Sequence, residues 1–335
     1  MVENINVISL LNNNYSLSRK ERYKRLSKKF NKEKNIDFQK LLDSINNENI
    51  NQFVKVMIEN NKEKYLNHFF FNLSNVKILK DKKKQNKYLS KRDFGGNYFT
   101  KNNIYLILGD KKELEENNAL LTPYHELLHL ISMKIDNSSI IRLGFQFNDF
   151  ATGLNEGYTE LLTKRYFGNI SPNDYNAYPH FIWYSNMLEE LLGKDKMEDY
   201  YFSFNIEGLI IEISKYIGIE KTFKLFIYSD LLFEREDEMY NNENLFLDYD
   251  NLININKVNC YYDDNLNLRN KIYNIFLEIN EKLNKSQEFK EEFKDKNNKK
   301  NIQIEYEEEL YRECFKEEKR GDLNGTKNYT RKKEK

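Results

Sequence analysis

The sequence predicts an α+β fold, rich in helix, with a small antiparallel sheet ahead of a His-Glu-x-x-His helix and helical segments on either side. Three observations predict it. Glycine and proline, which punctuate turns, are absent from residues 1–94 and 219–320, while all three prolines and ten of the twelve glycines lie between Gly95 and Gly218. Apolar residues in the glycine-free flanks recur at helical spacing. Short β-prone runs bounded by turn residues stand just before the motif.

In the N-terminal flank, Phe38, Leu41, Leu42 and Ile45 make one amphipathic stripe. Ile50, Phe53, Val54, Met57 and Ile58 make a second, and Tyr65, Leu66, Phe69, Phe70 and Leu73 a third. Together they predict a helical lobe over residues 1–75. His68 falls inside the third stripe and is expected to pack there or face solvent. The basic run from Arg19 to Lys34 reads as a solvated helix face. Val76–Leu79, Asn97–Thr100 and Ile104–Leu108 are strand candidates, with Gly95-Gly96 and Lys101-Asn102-Asn103 as the turns around the middle one. The lysines between Lys80 and Lys91 lack the interleaved aromatics of a nucleic-acid surface and are expected to be a solvated loop.

The motif comes next, as Thr122-Pro123-Tyr124-His125-Glu126-Leu127-Leu128-His129-Leu130. Thr122 suits an N-cap and Pro123 the first helical position, where a missing N–H is harmless. Positions four apart on a helix lie about 40° apart around the axis and about 6 Å along it, so both imidazoles can converge on one ion. Glu126 is displaced by about 100°, which lets its carboxylate reach a metal-bound water without ligating the metal. Leu127, Leu128, Leu130 and Ile131 surround the histidines with apolar side chains, as in a buried helix. Chance alone would supply roughly 0.005 such patterns in a chain this poor in histidine.

A hydrolytic zinc site needs a third protein ligand. Downstream stands Asn155-Glu156-Gly157-Tyr158-Thr159-Glu160. With the motif above, this segment resembles the gluzincin metallopeptidases, whose second helix carries a ligand glutamate and, one turn later, an acidic residue. The resemblance covers about residues 122–131 and 153–162. It implies a zincin-like catalytic domain binding one Zn²⁺ through His125, His129 and Glu156, with Glu160 orienting a ligand histidine. The 26 residues between His129 and Glu156 exceed the usual separation, which implies an insertion between the two helices. Asp149 is the other acidic residue in reach, in an aromatic loop over 145–150 with no regular spacing to aim it. Glu156 and Glu160 share one side of a helix, so one can ligate while the other supports. Asn155 reads as the N-cap of that helix, and Gly157 as leaving the approach to Glu156 open. A third histidine in the metzincin manner is excluded, because Ser132 and Ile135 occupy the positions of its glycine and histidine.

Gly168 is expected to end the second helix, and Phe181, Met187, Leu188, Leu191 and Leu192 to form another stopped by Gly193. Between them Tyr175, Tyr178 and His180 are candidates for the donor that stabilises a developing oxyanion, a group gluzincins place in this part of the fold. Ile206–Ile217 and Thr222–Tyr228 read as core helices, and Leu268, Ile272, Ile275, Phe276, Ile279 and Leu283 as a last amphipathic one. From Lys285 the chain is charge-dense and aliphatic-poor, a composition expected to be partly helical and partly disordered. The expected organisation is a catalytic domain over 76–235, a helical segment over 236–284 and a tail over 285–335.

With 53 basic and 53 acidic residues the formal charge is zero, so nothing global points to nucleic acid. Cys260 and Cys314 cannot make a disulfide framework and lack metal-ligand spacing, so both are expected to be ordinary thiols in a reducing compartment. The first fourteen residues make a poor signal peptide, and no run approaches the roughly 18 apolar residues of a membrane span. A cytoplasmic location is expected, with delivery by another route left open. The favoured reading is a zinc metallopeptidase acting on a peptide or protein substrate, with Glu126 activating water. The alternatives are a non-catalytic zinc protein serving regulation or assembly, and an effector protease whose flanks deliver it to one target. Retention of Glu126 argues against the first, since a structural site has no use for a general base.

Overall fold

Residues 24–31, 36–89, 94–137, 140–172, 174, 178–241 and 255–282 are described by the computed structural model. Tyr175, Cys314, the first fourteen residues, the tail from Lys285 and part of the basic run lie outside them.

Part of the basic run forms α1 (Lys24–Phe30), which buries Leu26 and Phe30, and the three predicted stripes become α2 (Phe38–Ile45), α3 (Glu48–Glu59) and α4 (Leu66–Leu73). Side chains start two of them: Asp37 accepts from the Lys40 N–H and Asn47 from the Ile50 N–H. After β1 (Lys77–Ile78) and the short α5 (Lys82–Gln85), β2 (Gly96–Phe99) and β3 (Ile104–Ile107) form a hairpin. Its turn closes where Thr100 Oγ1 donates to the Asn103 carbonyl at 2.7 Å. The strand order is β1-β3-β2, and β1 lies parallel to β3. This first sheet is therefore mixed. A hairpin must be antiparallel, but the long connection after β1 lets that strand enter in the other sense.

The chain continues through α6 (Lys111–Glu116) into the motif helix α7 (Thr122–Ile131). The insertion expected after it is a second sheet, fully antiparallel: β4 (Met133–Ile135), β5 (Ile141–Leu143) and β6 (Gln146–Phe147) in sequential order. Strands of two or three residues are too short to show alternation in a sequence. Then come α8 (Thr152–Phe167), α9 (Pro179–Leu192), α10 (Lys194–Phe202), α11 (Ile206–Ile217), α12 (Ile219–Asn241) and α13 (Ile255–Lys282). The last two run well beyond the stretches expected at 222–228 and 268–283. No helix among the described residues is long and apolar enough to cross a membrane.

Helix α8 is the hub, with α7, α9 and α12 packed on it. It can be central because two glycines remove side chains where neighbours approach. A Cβ at Gly157 would lie 2.3 Å from the Phe181 backbone carbon of α9, and one at Gly153 would lie 2.8 Å from the Ser229 carbonyl of α12. The N-terminal helices belong to the same core. Phe53 of α3 stacks on Phe167 of α8 at 5.5 Å, and Phe167 stacks on Tyr124 of α7 at 4.5 Å. Asn72 of α4 donates to the Leu130 and Met133 carbonyls at 2.8 Å, taking up backbone acceptors at the end of the motif helix. His68 packs beside it, half-buried, with Nε2 against the Met133 carbonyl. A boundary after residue 235 would fall inside α12, which is continuous through it.

Candidate metal centre

Helix α7 is buried along nearly its whole length, His125 and His129 included. Thr122 does not cap it, being its first residue, with Leu121 at the N-cap and no side-chain bond from it. The approach is held from a distance. Both carboxylate oxygens of Asp174 accept backbone N–H groups there, from Leu120 at 2.8 Å and Leu121 at 2.9 Å. Such a partner, over fifty residues away, leaves no local sequence signal.

Helix α8 brings the third donor. His125 Nε2 and His129 Nε2 are 3.0 Å apart, and Glu156 Oε2 lies 3.1 Å from the first and 3.2 Å from the second. Donors around a tetrahedral ion with bonds of about 2.0–2.1 Å are spaced by about 3.3 Å, so this nearly equilateral triangle is close to one face of such a site. The group can hold a metal ion. Its chemistry fits as well. Glu160 Oε2 sits 3.0 Å from His125 Nδ1, a partner that favours a proton there and leaves Nε2 as the nitrogen free to ligate once its own proton is lost. Burial disfavours charge on His125, yet Glu156 and Glu160 outweigh it and push its pKa up to about 10. Glu156 is also desolvated, but the two imidazoles hold its carboxyl well below the usual range.

Asn155 is not a cap. Helix α8 begins three residues earlier, and Asn155 is fully buried between the second sheet and the site. Its Oδ1 accepts the Phe145 N–H at 3.1 Å, while its Nδ2 lies 3.5 Å from His129 Nδ1. Gly157, expected to leave the metal open to approach, serves packing against Phe181 instead. Asp149 is exposed and stands outside the donor triangle, and Glu156 is the acidic residue that reaches the Nε2 atoms of both histidines.

Glu126 does not join the triangle. Asn97 of β2 ties it to the sheet, donating from Nδ2 to Glu126 Oε2 at 2.8 Å and to the Glu126 carbonyl at 2.9 Å. Asn97 Oδ1 is buried without a hydrogen-bond partner among the described residues, so those two acceptors alone decide which way the amide faces. Desolvation raises the Glu126 pKa, with the neighbouring histidines opposing it. Sequence reasoning placed Asn97 in a strand and assigned it no role. Its only signal was an amide inside a β-prone run beside two glycines.

Of the oxyanion candidates, Tyr178 lies at the site, its ring centroid 6.1 Å from that of His125 and 5.6 Å from that of Phe233. His180 is buried and engaged elsewhere, with Nδ1 2.6 Å from Glu236 Oε1 and Nε2 3.5 Å from an Arg269 nitrogen. Comparison with protein-family models, curated proteins and solved structures returned no match.

Proposed function

We propose that this chain is a zinc-dependent metallopeptidase of the gluzincin kind. The observation that carries the reading is the donor triangle of His125, His129 and Glu156 with an unligating carboxylate, Glu126, held beside it by Asn97. Two imidazoles and one carboxylate are the donor set zinc prefers among common ions, and three protein ligands leave a position for catalysis. A zinc ion held there would polarise a peptide carbonyl and bring the pKa of a coordinated water to about 7.

The chain's own residues supply the rest. Asn97 occupies Glu126 Oε2, leaving Oε1 to take the proton from the attacking water and deliver it to the departing amine. Loss of solvation keeps the pKa of that carboxyl raised, which suits a group that must both accept and release a proton. Glu160 holds the His125 tautomer at Nδ1. Of the candidate oxyanion donors, Tyr178 is the one favoured, its ring lying beside that of His125. Strand β2 is an edge of its sheet and carries Asn97, so a peptide pairing with that edge in extended form would pass in front of Glu126.

The test is a digest of a peptide library by zinc-loaded protein, with products mapped by mass spectrometry. Cleavage that stops on chelation and returns with zinc is expected. A protein that binds zinc stoichiometrically but cleaves nothing in the library or in unfolded protein substrates would replace this reading with that of a non-catalytic zinc protein.

A further inference from the structure

We infer that Asp230, in the middle of α12, is a positioning residue for the third metal ligand, Glu156. The inference rests on the metal reading of that site. The opening turn of α8 lacks the usual means of satisfying its backbone. Ala151 holds the N-cap position with a left-handed φ of 63° and no side chain that could cap, and the first turn contains no acidic residue. Ala151 and Gly153 are both buried, so water cannot take up their N–H groups. Asp230 does so. Its Oδ2 accepts the Ala151 N–H at 2.7 Å and its Oδ1 the Gly153 N–H at 3.0 Å, a two-pronged clamp across nearly eighty residues of sequence. Successive N–H groups at a left-handed turn form a concave nest suited to an anionic group.

Glu156 follows Gly153 by three residues, less than one turn along the helix. The rotation and depth of that turn therefore set where its carboxylate lands, within 3.1–3.2 Å of the two Nε2 atoms. The clamp has little slack, because Gly153 brings the α8 backbone against the Ser229 carbonyl of the residue preceding Asp230. The backbone of His125 and His129 is placed by α7 and the Asp174 contact, while α8 touches their rings only through Glu160 and Asn155, besides Glu156 itself. Asp230 thus acts most directly on Glu156, the one ligand that α8 itself carries.

The experiment measures zinc dissociation constants of the full-length protein by competition with a chromophoric chelator. Asp230→Asn keeps the volume but sets an amide donor against one of the two N–H groups, and it should weaken zinc binding by about 10–100-fold, as loss of a ligand-orienting contact does. In a Glu156→Ala background the same change should have a much smaller effect, because the main residue it acts through is gone. Glu234→Gln, one turn further along α12 and exposed, should leave affinity unchanged. Wild-type affinity in Asp230→Asn overturns the inference, and so does an equal loss with and without Glu156. A measurement on the unaltered chain covers the case in which the variants fail to fold. Zinc should slow amide hydrogen exchange in 151–156 and in 227–233, since coupling is reciprocal. Protection confined to 122–131 overturns it. Both readouts follow zinc and not cleavage. A wild type that binds zinc without peptidase activity therefore refutes the peptidase reading alone.

Discussion

At the scale of single residues, the proposed function assigns holding a metal and moving a proton to different side chains. Glu126→Gln keeps the shape of the carboxylate and removes its basicity. It should retain near-stoichiometric zinc by mass spectrometry while cleavage falls by about 100-fold or more. Activity equal to wild type would end the general-base assignment. Asn97 gives a second, independent handle on the same group. Asn97→Asp preserves volume but turns a donor into an acceptor facing both Glu126 Oε2 and its carbonyl. Losing a hydrogen bond to a charged group is worth about 1.5–3 kcal/mol, so kcat should drop by roughly 10–100-fold with zinc content intact. If Asn97 merely filled space, the isosteric variant would behave as wild type.

At the scale of elements, two helices that begin on remote carboxylates converge their side chains. The donors should rank accordingly in zinc affinity. Glu156→Ala should be the weakest binder, Glu160→Ala should lose about 10–100-fold through the His125 tautomer, and Asp149→Ala should be nearly silent. A series in which Asp149→Ala alone empties the site would move the third ligand out of α8. Packing of α8 on α9 is open to a separate check. A Cβ at Gly157 meets the Phe181 backbone, which cannot swing aside as a side chain can. Gly157→Ala should therefore destabilise by about 1–3 kcal/mol or more in chemical denaturation. Unchanged stability would mean the two helices are less closely seated.

At the scale of the whole molecule, the proposed metal site would link metal, protons and folding. A ligand bound only by the native state stabilises it by mass action, so chelation should lower Tm in wild type and have little effect in His125→Ala or His129→Ala. The sign of the pH dependence follows from His125. Its pKa in the metal-free fold is raised to about 10 from an ordinary value of 6.5. The stability it contributes is therefore fully present below pH 6.5 and lost as pH rises through about 10. A zinc ion bound at that ring would have to displace the proton. Over the same window, affinity should gain up to about tenfold per pH unit, measured with a metal buffer at each pH. A flat affinity between pH 7 and 9 would show that His125 is already neutral in the metal-free protein.

Much of this was legible in the chain itself because it is local. Helix periodicity over 38–73 and 122–131 reflects which face each segment buries, and the His125–Glu126–His129 spacing is a property of one helix. Glu156 and Glu160 were legible for the same reason, lying one turn apart. Contacts between distant segments decided what remained. Asn155 and Thr122 looked like caps because their residue types favour capping, but burial against the second sheet claimed Asn155. Asp174 and Asp230 supply carboxylate acceptors for the backbone N–H groups at the two helix starts from more than fifty residues away. Asn97 meets Glu126 only once β2 lies along α7. A sequence states which groups need partners, but only the packed chain, by burying their backbone away from water, determines which residues become those partners.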